Sequence, residues 1–87
     1  MKIEYSRRFI KQFRKLRPAE QIRFEKRLIL WEKNSAHSSL RVHKLQGKYI
    51  GFYSLNVGGD LRALYKSIHK QAILFDFIGT HNQLYGR

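Results

Sequence analysis

Cysteine is missing from all 87 residues, which excludes a disulfide framework, a thiolate metal site and a thiol nucleophile. Proline occurs once, at position 18, and no repeat, low-complexity tract or linker divides the chain. Residues 1–87 therefore form a single domain with one modest core. No apolar run approaches membrane-spanning length, and Met1-Lys2-Ile3-Glu4-Tyr5 has no apolar targeting core. A cytoplasmic protein with no membrane association is the expectation. Glycine-rich phosphate loops are absent too, since Gly58-Gly59 stands alone between two strand-like runs and suits a hairpin turn.

Acidic residues are scarce. Six stand against eighteen Lys and Arg, for a net charge of +12. Residues 1–48 carry fourteen of the basic residues and four of the acids, so the excess lies mostly in the first half. A small basic domain of this kind favours a polyanion, usually nucleic acid, or a strongly acidic protein partner. Hydrophobic residues at 43% and aromatics at 14% suffice for a folded globule.

The apolar pattern changes period along the chain. Lys2 to Tyr5 alternates as a short strand, and Ser6 is placed to cap a helix. Phe9, Ile10, Phe13 and Leu16 share one face of that helix, which ends at Arg17-Pro18. Pro18 opens a second helix, with Glu20 in its first turn. Its stripe is Phe24, Leu28 and Trp31, widened by Ile22 and Ile29. From Arg41 the period becomes two: Tyr49–Val57 reads as a strand, Asp60–Ile68 as its hairpin partner, and Ala72–Ile78 as a last strand. One helical turn follows over His81–Tyr85. The expected fold is α+β: an N-terminal strand, a two-helix hairpin, then a three- to four-stranded, mainly antiparallel sheet.

The chemistry-bearing residues gather in the second half. Histidines 37, 43, 69 and 81 show no close ligand spacing and carboxylates are few, so neither a metal site nor a cofactor is expected. His81 follows the last strand at the lip of the sheet, where a rigid scaffold can present a proton-transfer group. A surface histidine at a turn is the plainer reading of that stretch alone. Arg62 and Lys66 alternate onto one face with Asp60, and an Asp-x-Arg pair is more often a same-face ion pair than a site. Metal-free RNA cleavage needs a group to take the 2′-hydroxyl proton, one to protonate the departing 5′-oxygen, and a cation against the phosphate. His, Asp and Arg are sufficient types for those tasks.

His43-Lys44-Leu45-Gln46-Gly47, Gly51, Asp60 with Leu64-Tyr65-Lys66, Gly79-Thr80-His81 and Leu84-Tyr85-Gly86 together resemble the YafQ-type branch of the RelE/ParE toxin superfamily. The resemblance covers nearly the whole chain. It implies the toxin of a type II toxin–antitoxin pair: a metal-independent, ribosome-dependent mRNA endonuclease. His81 would be the principal proton-transfer residue, with His43 and Asp60 sharing base and orienting roles and Tyr85 an aromatic at the site's edge. Arg62 is a strand cation of the kind RelE relatives set against phosphate, and Lys44, Lys48 and Lys66 would help hold the substrate. The implied partners are an acidic antitoxin, in a higher-order complex, and the ribosome with its mRNA. Ser54 and Asn56 depart from the pattern, standing where YafQ-type members can carry an acid and a histidine. Neither works as a base at neutral pH. A ParE-like inhibitor of gyrase without nuclease activity, or an inactive basic RNA-binding relative, is the competing expectation.

Overall fold

A computed structural model describes residues 2–86. Strand β1 (Lys2–Tyr5) leads into helix α1 (Arg7–Arg14), whose first turn is capped by Ser6, the Oγ accepting the Phe9 N–H at 3.0 Å. Helix α2 (Pro18–Lys33) follows, with Glu20 Oε1 accepting the Arg17 N–H at 3.0 Å. Gln21 Nε2 ties the two helices by donating to the Phe13 and Leu16 carbonyls at the end of α1. A short 3₁₀ turn, Ser38–Leu40, then leads to the remaining strands: β2 (His43–Lys44), β3 (Tyr53–Gly58), β4 (Leu61–His69) and β5 (Ala72–Thr80). Helix α3 (His81–Tyr85) closes the described chain.

The five strands form one sheet in the order β1-β5-β4-β3-β2. β1 runs parallel to β5, and every other pairing is antiparallel. The α+β architecture expected from the sequence is the one observed. The sheet separates two apolar layers. Helices α1 and α2 bury Phe9, Phe24 and Trp31 against Leu55, Val57, Leu61, Ala63, Tyr65, Ile73, Phe75 and Ile78. On the opposite face a smaller cluster of Tyr49, Leu64 and Leu84 is flanked by Leu45, Phe52, Phe77 and Tyr85. No helix among the described residues is long and apolar enough to cross a membrane.

Three expectations need correction. β3 begins at Tyr53, not Tyr49, because Gly47–Tyr49 is a 3₁₀ turn that drops Tyr49 into the smaller cluster. Ile22 and Ile29 do not widen the buried stripe of α2; they are 51% and 56% exposed, because Phe24, Leu28, Leu30 and Trp31 are the α2 residues that pack against the core. Ile10 on α1 is likewise 40% exposed while its neighbour Phe9 is buried.

Candidate active site

The ends of β4 and β5 meet at one corner of the sheet. Leu61 is opposite Thr80, and Arg62 lies between Gly79 on β5 and Asn56 on β3. Helix α3 starts here, and its start is tightly specified. Thr80 Oγ1 accepts the Gln83 N–H at 3.2 Å while Gln83 Oε1 accepts the Thr80 N–H at 2.8 Å, a reciprocal capping box. Gly79 makes room for it: a Cβ there would stand 2.9 Å from Gln83 Oε1. The far end of α3 is pinned by the Tyr49 hydroxyl, which donates to the buried Leu84 carbonyl.

His81 is therefore an exposed side chain on a fixed turn. Its backbone N–H donates to Asp60 Oδ2 at 3.3 Å, so Asp60 holds the peptide of residue 81 from the hairpin turn. The His81 ring lies against Tyr85, one helical turn on, with centroids 4.6 Å apart. Burial pushes the Tyr85 phenol above its ordinary pKa; nearby Tyr49 adds to the rise and Arg62 opposes it. Arg62 and Asp60 form no ion pair among the described residues. Instead Arg62 Nη1 donates to Asn56 Oδ1 at 2.9 Å and to the carbonyls of Gly59 and Leu61 at 3.0 and 3.1 Å. The expected same-face pair fails because Asp60 precedes the strand and turns toward α3.

His43 lies across the sheet on β2, opposite Ser54. Its Nδ1 is 2.9 Å from the Arg41 carbonyl. A carbonyl only accepts, so Nδ1 carries the proton and Nε2 of the neutral ring keeps its lone pair. Among the described residues no group of three or more His, Cys, Asp or Glu side chains could hold a metal ion.

No known sequence family's pattern matches the chain, and no curated protein matches it by sequence. Solved structures do. YafQ from Escherichia coli strain BL21(DE3) superposes with a TM-score of 0.80 at 24% identity, covering 97% of each chain. The fold is that of the RelE/ParE toxins. YafQ in the E. coli DinJ–YafQ toxin–antitoxin complex gives 0.71 at 25% identity, over 97% of this chain and 96% of that one. The archaeal RelE–RelB complex from Pyrococcus horikoshii OT3 gives 0.71 at 20%, over 94% and 96%.

In this RelE/ParE-type frame the sequence-derived residues divide into three groups. His81, Asp60, Arg62 and Tyr85 come together at the β4–β5–α3 corner. Lys66 and Lys48 sit farther along the same face, each with Nζ 5.2 Å from a ring centroid, of Phe52 and Tyr49 respectively. Lys44 pairs with Tyr53, whose ring packs on the helix side, so the pleat turns it from the face that carries His43. Two residues with clear places here were not singled out as functional from sequence. Arg8 stacks over the Phe77 ring at 4.1 Å while pairing with Asp76 at 3.2 Å. Asn56, noted only as a departure from the family pattern, is the side chain on which Arg62 rests.

Proposed function

We propose that this protein is the toxin of a type II toxin–antitoxin pair and cuts ribosome-bound mRNA by metal-free acid–base chemistry. The observation that carries the reading is the exposed His81, its backbone held at the end of β5 and its ring tilted against Tyr85 beside a strand guanidinium, on a YafQ-type fold. The 2′-oxygen attacks phosphorus and the bond to the 5′-oxygen breaks. His81 gives the departing 5′-oxygen its proton, and Arg62 stabilises the charge building on the phosphate. Asp60 acts through the backbone, holding residue 81 in place. His43 offers the lone pair at Nε2 for the 2′-hydroxyl proton. Three strand spacings of about 4.8 Å separate the β2 and β5 backbones, and the register sets His43 in line with Phe77, before the turn that carries His81. The Tyr85 ring, kept in its neutral form, is a surface on which a base can stack.

Lys48 and Lys66 hold flanking phosphates, while Lys44, turned to the other face, does not; the basic helices meet ribosomal RNA through charge rather than sequence. The same positive surface suits an acidic antitoxin, and the DinJ–YafQ and RelE–RelB assemblies support such a partner.

His81→Ala is the test. Expression of the wild-type chain is expected to arrest growth with loss of message. The variant should stay folded by circular dichroism, lose about 10²–10⁴-fold in cleavage of ribosome-programmed mRNA, and relieve the arrest. Undiminished toxicity of His81→Ala removes the assignment, and DNA damage without message loss points to a gyrase-directed poison instead.

A further inference from the structure

Arg62 is held in a way that leaves half of it free. Its Nη1 spends its protons on Asn56 Oδ1 and on the Gly59 and Leu61 carbonyls. Among the described residues, Nη2 and Nε take no hydrogen-bond partner and no carboxylate neutralises the guanidinium. These two nitrogens form one of the planar forks that match two oxygens of a phosphate. Asn56 is anchored in turn: its Nδ2 donates to the Ser39 carbonyl at 3.4 Å, which also accepts from Arg27 Nη1 of α2 at 3.2 Å. A chain of contacts therefore runs from α2 through the Ser38–Leu40 turn and β3 to the cation on β4.

We infer that Asn56 is the positioning residue that aims Arg62's open Nη2–Nε fork at the scissile phosphate, and that its neutrality is the point. The inference rests on the nuclease reading and deepens it. A carboxylate at position 56 would fix the guanidinium at least as firmly, but would cancel the charge the phosphate needs. The carboxamide supplies the acceptor and leaves the positive charge intact. The departure from the acid-and-histidine pattern on β3 is then a substitution of means: a proton-transfer side chain is absent, and a fixed cation stands in its place.

Asn56→Asp and Asn56→Ala separate this role from a structural one. Inorganic phosphate, titrated while the Arg62 Nε–H resonance is followed by NMR, is expected to shift that signal saturably in the wild-type protein. In Asn56→Asp the response should vanish, and kcat for ribosome-programmed mRNA should fall at least about tenfold. Its Tm should match or exceed that of wild type, because an ion pair replaces a neutral contact. Asn56→Ala should lose cleavage as well, with a lowered Tm. Full activity and an unchanged phosphate response in Asn56→Asp would overturn the inference. So would activity that simply follows Tm across the three proteins, or a wild-type Arg62 signal indifferent to phosphate. A phosphate response abolished by Asn56→Asp in a protein that cuts no message would uphold Asn56's role and remove the nuclease reading alone.

Discussion

The two faces of the sheet are built to different ends. Against the helices, Phe75 is fully buried and lies within 5.3–6.4 Å, centroid to centroid, of Tyr5, Phe9, Phe24, Trp31 and Tyr65. Within this layer Trp31 Nε1 donates to the Tyr65 hydroxyl at 3.1 Å, which satisfies both groups. The opposite face buries only Tyr49, Leu64 and Leu84 in its cluster, and leaves Asn56, Arg62, His43 and His81 reachable from solvent. Stability is concentrated on one side so that charge and proton-transfer groups can stay uncovered on the other. Interlocked rings can carry that load because packing energy grows with buried area, whereas a catalytic group works only if something else can reach it.

The sharpest way to break this contrast is Phe75→Ala. Losing a fully buried ring and leaving a cavity should cost about 3–5 kcal/mol, read by urea denaturation, and carry activity down with it. His81→Ala should leave stability within about 0.5 kcal/mol of wild type. If the histidine variant proved the less stable of the two, the division of labour between faces would be wrong. A smaller effect probes the join between fold and site. Tyr49→Phe removes the donor to the buried Leu84 carbonyl and should cost about 1–3 kcal/mol. The loss should be local, with amide exchange accelerating in α3 before it does in β4, and cleavage weakening as the His81 turn loosens. Uniform acceleration throughout the sheet would show that α3 is not separately held.

The gentlest probe is pH. Tyr5, Tyr49, Tyr65 and Tyr85 all have pKa values raised above the ordinary 10, burial being the largest cause in each. A raised folded-state pKa means the fold binds the phenolic proton more tightly than the unfolded chain does. That stabilisation is complete below about pH 10 and is lost as pH climbs through the folded-state values. Denaturation midpoints should be insensitive to these groups between pH 8 and 9 on the scale of about 10 for tyrosine, then fall steeply at more alkaline pH. Tyr65→Phe should flatten part of the fall from the helix side, and Tyr85→Phe part from the site side.

Helices and the last strand were legible because their apolar patterns are plain: Phe9–Phe13–Leu16, Phe24–Leu28–Trp31 and the nearly continuous apolar run to Ile78. The stretch from Tyr49 to Phe52 misled because its rings belong to the smaller cluster; a period of two suggested a strand where a 3₁₀ turn was needed to reach that layer. Ile22 and Ile29 misled for a related reason, since apolar character alone does not tell which helical positions meet a partner. At the site, His81, Asp60, Arg62 and Tyr85 stand in short recognisable strings. Asn56 has no such string around it. Only the register that sets it opposite Arg62 gives it meaning, and register is a property of two strands together.

The pairing of β1 with β5 has a temporal consequence. Residues 2–5 find their partners at 72–75, with the Lys2 N–H reaching the Gln71 carbonyl and the Ser6 hydroxyl the Asp76 carbonyl. On an elongating polypeptide the first strand must wait, unpaired, until some seventy further residues have been made. The turn bearing His81 is synthesised later still. A chain of this design cannot complete its sheet, or present its imidazole, while most of it is still being translated.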